Sequence, residues 1–212
     1  QNNEVTDRLT KLGIKIFHSH HPDNIKDCHF IVISSAVRDD NPEVLEAMKL
    51  GLAIKHRSDM LFEVMKQKRQ ILIAGTHGKT TTSSIMAESL YRAGLDTSFA
   101  IGGILQKFNS NAHCGNSHYF IAEVDESDGT FLKFHADVAV ISNVDKDHLD
   151  FYKDFQSIKN AFTSFCNQAS QNGVICLCSD DPINLEISEN IKHKIVTYGI
   201  NPASEILATN IK

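Results

Sequence analysis

Ile71-Leu72-Ile73-Ala74-Gly75-Thr76-His77-Gly78-Lys79-Thr80-Thr81-Thr82 passes from an unbroken apolar run, through a turn holding two glycines, into a segment with helical patterning. A strand buried on both faces reads as such a run. A glycine turn that leads into a helix aims backbone N–H groups and the positive helix end at an anion. Lys79 then supplies a mobile charge for terminal phosphates, and the Thr80 hydroxyl is placed for Mg²⁺. The common phosphate-loop spacing requires glycine at position 73, which is Ile73, so this is the shorter G-x-x-G-K-T form. Glycine and threonine could serve a strand-to-helix turn alone, but Gly-Lys-Thr in that setting favours a phosphate. Gly75, Thr76, His77, Gly78, Lys79, Thr80 and Thr81 are the candidate phosphate-binding positions, His77 because its ring can reach a bound anion.

On both sides of this loop, short apolar runs alternate with helical patterns, the sequence form of an α/β fold with parallel sheets and flanking helices. Upstream, strands are predicted over 14–17, 30–34 and 52–55. A helix over 42–50 opens with Asn41 as cap and Pro42 at its first position, and another starts near Asp59 with Ser58 as its cap. Residues 66–70 (KQKRQ) read as a solvated connector and mark a domain boundary, giving units 1–67 and 68–212. Downstream, strands are predicted over 70–74, 98–101, 119–123, 138–142, 174–178 and 194–198. Helices are predicted over 79–93, stopped by Gly94, along the face Phe155, Ile158, Phe162 and Phe165, and from Pro182.

Ligands of a parallel α/β sheet sit outside the carboxyl ends of its strands. Two predicted strands besides 70–74 end there in polar chemistry, Glu123-Val124-Asp125-Glu126-Ser127-Asp128 and Asn143-Val144-Asp145-Lys146-Asp147-His148-Leu149-Asp150. Mg²⁺ takes hard oxygen ligands and bridges protein carboxylates to nucleotide phosphates, which makes Glu123 and His148 functional candidates. Asp145 and Asp150 read as solvated loop acids. His18, His20 and His21 lie at a predicted strand end without an ordered acidic partner and read as exposed surface.

The 212 residues carry 21 Lys+Arg against 26 Asp+Glu, a formal charge of −5, which argues against a nucleic-acid partner held by a basic field. No apolar run approaches the ~20 residues that cross a bilayer, so no membrane partner is expected. The five cysteines, Cys28, Cys114, Cys166, Cys176 and Cys178, are odd in number and lack zinc spacing, which favours a reducing cytoplasm. Cys176 and Cys178 alternate in a predicted strand and read as small buried hydrophobes on one face.

The three motifs Gly75–Thr82, Glu123–Asp128 and Asn143–His148 resemble, in order and spacing, the central ATPase domain of the Mur ligases. The upstream run Ser34-Ser35-Ala36-Val37-Arg38-Asp39-Asp40-Asn41-Pro42 resembles the same family's UDP-binding domain. The likeness spans essentially the whole chain. It implies a partial Rossmann-like UDP-sugar-binding domain over 1–67, with Ser34 and Ser35 near the nucleotide sugar, and a partial ATP-binding domain over 68–212. It further implies a cytoplasmic enzyme of peptidoglycan-precursor synthesis that uses ATP and Mg²⁺ to join L-alanine to UDP-N-acetylmuramate through an acyl phosphate. By the same resemblance Lys79, Glu123 and His148 are the catalytic set. Thr80 and Glu123 hold one metal, and His148 helps hold a second.

The family pattern includes a Gly-rich N-terminal segment, an adenine-holding segment and a C-terminal domain that this sequence does not show, and position 1 is Gln rather than Met. A piece of a larger ligase, inactive by itself, is the resulting expectation. Two alternatives remain: a recycling ligase that adds a tripeptide to the same sugar nucleotide, against which Ser127 counts, and a phosphate-loop kinase or nucleotide-binding module.

Overall fold

A computed structural model describes residues 4–211, and the chain divides into two compact units, residues 1–60 and 61–212. The oddity at Gln1 lies outside the described residues. In the first unit, helix α1 (Glu4–Lys11) precedes an irregular stretch and a short 3₁₀ turn, Pro22–Ile25. Strand β1 (Phe30–Ile33), helix α2 (Pro42–Leu50) and strand β2 (Ala53–His56) then form a β-α-β unit whose strands pair in parallel, Phe30 with Ala53 through Ile33 with His56. Asn41 caps α2 by accepting the Glu43 N–H, and Gly51 closes it in the left-handed conformation at φ 67°. Ile25, Ile31, Val44 and Ala47 make the small core.

Helix α3 (Arg57–Met65) starts one residue before the predicted cap, so Ser58 lies in its first turn. The Ser58 N–H is accepted by the His56 ring nitrogen, and the Asp59 carboxylate accepts the His56 N–H. That reciprocal pair satisfies the end donors and displaces Ser58 from the capping role. The strand predicted over 14–17 does not form. Ile14 and Phe17 are exposed and the Lys15 ammonium lies over the Phe17 ring, so the run has neither a ladder partner nor a face to bury.

The second unit is an eight-stranded sheet. Its elements are β3 (Arg69–Ala74), α4 (Lys79–Arg92), β4 (Ser98–Leu105), β5 (Ser110–His113), β6 (Tyr119–Glu123), β7 (Val138–Ile141), α5 (Phe155–Asn167), β8 (Val174–Cys178), α6 (Pro182–Ser188), β9 (Lys194–Gly199) and β10 (Ile206–Leu207). The spatial order is β10-β9-β8-β7-β3-β6-β4-β5, and every pairing is parallel except the β4–β5 hairpin. Helices on both faces bury a larger core around Leu72, Phe131, Phe162, Phe165 and Ile175 and a smaller one around Ile73, Phe99 and Ile121. Asp154 and Asp181 cap α5 and α6.

The expected solvated connector proves partly structural. Arg69 and Gln70 belong to β3, and the Lys68 ammonium donates to Ser98 Oγ and the carbonyls of Gly115 and Ser117. Cys176 and Cys178 do share a face, but it is the half-buried one; Ile175 and Leu177 take the fully buried side.

Candidate functional site

β3 lies between β6 and β7, so three strand ends that are distant in sequence meet at one edge of the sheet. Leu72, Ile73 and Ala74 are fully buried, which anchors the turn that follows. Gly75 leaves β3 at φ 133°, and a Cβ there would stand 2.1 Å from Ser142 Oγ and 3.0 Å from the Asn143 carbonyl. Only glycine meets both demands. Gly78, at φ 82°, occupies the cap position of α4 with no side-chain cap, and the first-turn N–H groups of a helix have no intrahelical acceptor. This is the anion-facing geometry that the sequence predicts for the loop.

The end of β7 fastens the loop. Thr76 N–H donates to the Asn143 carbonyl (3.0 Å), His77 N–H donates to Asn143 Oδ1 (2.8 Å), and the His77 carbonyl accepts from Asn143 Nδ2 (2.9 Å) and Ser142 Oγ (2.7 Å). Thr76 is buried, and its hydroxyl oxygen accepts the Asp145 N–H. Thr76 and the His77 peptide are therefore engaged within the fold, while the His77 ring is exposed, 3.9 Å from Asp145. Gly78, Thr80 and Thr81 are exposed and Lys79 is half-buried at the start of α4.

Glu123, at the end of β6, accepts from Thr80 Oγ1 (2.9 Å), Ser83 Oγ (2.6 Å) and the Gly102 N–H (2.7 Å). A Cβ at Gly102 would lie 2.6 Å from Thr80 Oγ1 and 2.9 Å from Glu123 Oε2, and one at Gly103 would lie 2.9 Å from Thr80 Cγ2. The two glycines keep open the space above the hydroxyl and the carboxylate. Two hard oxygen donors 2.9 Å apart fit adjacent positions around an ion with bonds of about 2.1 Å that draws its other ligands from water and phosphate. Among the described residues no three His, Cys, Asp or Glu side chains group where they could hold a metal ion.

Glu126 is the residue that sequence reading missed. It is 1% exposed, and both carboxylate oxygens accept from Lys79 Nζ, at 3.0 and 2.9 Å; the same ammonium donates to the Gly75 carbonyl at 2.7 Å. His148, held at φ 55°, places Nε2 3.9 Å from Glu126 and 3.8 Å from Asp147. The Tyr152 hydroxyl donates to the Glu126 carbonyl at 2.6 Å, and burial pushes that phenol up to about 12, so it remains a donor. Thus Lys79 and His148 flank Glu126, while Thr80 and Glu123 form a second pair. The available signal was a third acid in the motif that opens at Glu123, but its burial depends on Tyr152 and the packing around it.

In the first unit Ser34 and Ser35 follow β1 in a turn closed by Val37 N–H to the Ser34 carbonyl, and Ser35 Oγ lies 3.1 Å from His56 Nε2 at the end of β2. Both serines thus stand at the carboxyl ends of parallel strands. His20 corrects an expectation, since its Nδ1 pairs with Glu43 at 2.8 Å in an irregular segment rather than at a strand end. Burial pushes the Glu43 carboxyl up, but hydrogen bonds from His20, Asn24 and the His21 backbone outweigh it and hold the group below its usual value. His18, His20 and Glu43 line an open groove of about 340 Å³.

The "Mur ligase middle domain" model matches residues 73–212, and the "Mur ligase family, catalytic domain" model matches residues 1–69. The UDP-N-acetylmuramate–L-alanine ligase of Vesicomyosocius okutanii subsp. Calyptogena okutanii is 46% identical over 211 residues, covering 99% of this chain and 45% of the relative. That of Geotalea uraniireducens is 44% identical over 209 residues, covering 99% and 46%. The chain spans about half the length of the curated relatives it matches. The crystal structure of the Thermotoga maritima UDP-N-acetylmuramate-alanine ligase MurC superposes with a TM-score of 0.83 at 29% identity, over 95% of this chain and 45% of that one. A Neisseria meningitides UDP-N-acetylmuramate:L-alanyl-gamma-D-glutamyl-meso-diaminopimelate ligase has a TM-score of 0.84 at 24% identity, over 93% and 67%, a likeness of fold alone. With both units matched in order and the phosphate loop, Glu123 and His148 gathered at one sheet edge, the chain belongs to the Mur ligase family.

Proposed function

We propose that this chain carries the nucleotide-activating part of an ATP-dependent ligase that joins L-alanine to the lactyl carboxylate of UDP-N-acetylmuramate in the cytoplasm. Residues 1–67 would take the sugar nucleotide, with Ser34 and Ser35 at its edge, and residues 68–212 would take ATP. The observation that carries the reading is the meeting of Lys79, Thr80, Glu123 and His148 at the ends of β3, β6 and β7; relatives named for this activity support it.

Attack of a carboxylate on the γ-phosphorus brings two anions together, so catalysis rests on position and positive charge. The first turn of α4 and Lys79 hold the phosphates, with Gly78 leaving the backbone open. Thr80 and Glu123 would hold one Mg²⁺ and His148 would help hold a second. When bound, the metal offsets charge on the transferring phosphoryl group. The carboxylate oxygen bonds to the γ-phosphorus as the bond to the ADP oxygen breaks. The alanine amine then attacks the acyl carbon, and phosphate leaves with its electron pair as the amine sheds a proton.

Phosphate release from ATP, measured on the longest natural polypeptide carrying this sequence, tests the reading. Release is expected only with UDP-N-acetylmuramate and L-alanine together. Preference for the tripeptide over L-alanine points to the recycling reaction, and release that needs neither substrate removes the ligase assignment.

A further inference from the structure

Glu126 is a buried carboxylate to which the proposed chemistry gives no task. Its side chain is 2% exposed, and its counter-charge is the lysine that the phosphates need. A buried carboxylate whose partner swings away is left uncompensated, which is strongly unfavourable. The Lys79 ammonium has three N–H donors; the Gly75 carbonyl takes one, and the two Glu126 oxygens lie within reach of the others. No donor is left over for an incoming phosphate unless a contact to Glu126 is released or shared.

We propose that Glu126 is a positioning residue of the phosphate loop, holding Lys79 over the Gly75 carbonyl and competing with the nucleotide phosphates for the same ammonium. The proposal rests on the ligase reading above only in assigning phosphates to the loop. Glu126 is itself held in place, since its carbonyl accepts the Tyr152 hydroxyl and its N–H–bearing segment turns back at Gly129, whose N–H donates to the same carbonyl at 3.1 Å. The carboxylate therefore does not follow Lys79 outward. It fixes where the ammonium waits and weakens phosphate affinity in return. His148 Nε2 lies 3.9 Å from the same carboxylate.

The test uses the longest natural polypeptide carrying this sequence, with inorganic tripolyphosphate and Mg²⁺ as the probe in titration calorimetry. Glu126→Gln keeps the shape and removes the competing charge, so the dissociation constant should fall about fivefold or more. Glu126→Asp keeps the charge and should stay within about twofold of the parent. A tightening in Glu126→Asp equal to that in Glu126→Gln would show that altered packing is responsible and overturn the proposal. Unchanged or weakened binding in Glu126→Gln overturns it as well. Adding Lys79→Met to Glu126→Gln should abolish the gain, because the gain runs through the ammonium. Should Glu126→Gln fail to fold, NMR of the unsubstituted protein decides. A slowly exchanging Lys79 ammonium resonance in the free protein that shifts on adding tripolyphosphate supports the proposal, and its absence from the free protein overturns it. If the parent chain binds no tripolyphosphate at all, the phosphate-loop assignment fails instead.

Discussion

Asn143 grips His77 on both sides of its Cα, its Oδ1 accepting the His77 N–H and its Nδ2 donating to the His77 carbonyl, so one side chain ties down two successive peptide groups of the loop. Lys79 has a comparable grip on Glu126, with different consequences for stability. Breaking a buried ion pair by removing one partner costs on the order of 3–5 kcal/mol, since the other charge stays behind unpaired. Lys79→Met should therefore lower the denaturant midpoint markedly, and Lys79→Met with Glu126→Gln should recover most of that loss, as read by chemical denaturation with intrinsic tyrosine fluorescence or circular dichroism. A surface lysine would show neither effect. The place of Lys79 at the start of a helix was legible in the sequence, because Gly78 before it and Thr80 after it mark a strand-to-helix turn. Glu126 was not, because a carboxylate in an acidic run reads as solvated until the fold that buries it is known.

Elements with their own punctuation were the readable ones. Asn41-Pro42 and Gly51 bound α2, Gly94 at φ 84° stops the chain after α4, and the apolar face Ile158, Phe162 and Phe165 of α5 lies in the core. Elements defined by a distant partner were not. β4 runs to Leu105, past Gly102 and Gly103, which propensity alone counts against a strand, and the β4–β5 hairpin escaped notice with it. The run over 14–17 erred the other way, apolar enough for a strand but without a neighbour to pair with. The hairpin carries its own pH dependence. Hydrogen bonds from the His113 ring and the Asn116 N–H hold the Asp96 carboxyl below its ordinary value of 3.8. A depressed folded-state value stabilises the protein above the unfolded-state value and is lost as pH falls through the folded one. Melting temperature should thus fall below about pH 4 with a component that Asp96→Asn removes, giving the variant a flatter acid limb in thermal scans from pH 5 to pH 2.

Across the whole molecule, the alternation of strands and helices announced a parallel α/β sheet, while the strand order that brings three motifs together came only with the fold. No helix among the described residues is long and apolar enough to cross a membrane. The cysteines give a direct probe of packing. Cys28 and Cys114 are exposed, whereas burial pushes the Cys166 thiol up to about 12 and raises Cys176. Titration with a disulfide reagent at pH 8 should label Cys28 and Cys114 quickly, and Cys166 should react only as fast as the protein opens. Prompt labelling of Cys166 in peptide mapping would contradict the packing of α5 against the sheet.

The central place of β3 also shapes how the chain reaches this state. Its two neighbours are both made after it, as Arg69 pairs with Tyr119 and Ile71 with Val138. During synthesis at about 5–20 residues per second, β3 waits for several seconds with both edges open and an apolar sequence on both faces. Such non-local pairing slows folding, and an unpaired hydrophobic strand is a site for association between nascent chains. The central strand that allows three motifs to converge thus leaves the newborn chain open to association until β6 and β7 arrive.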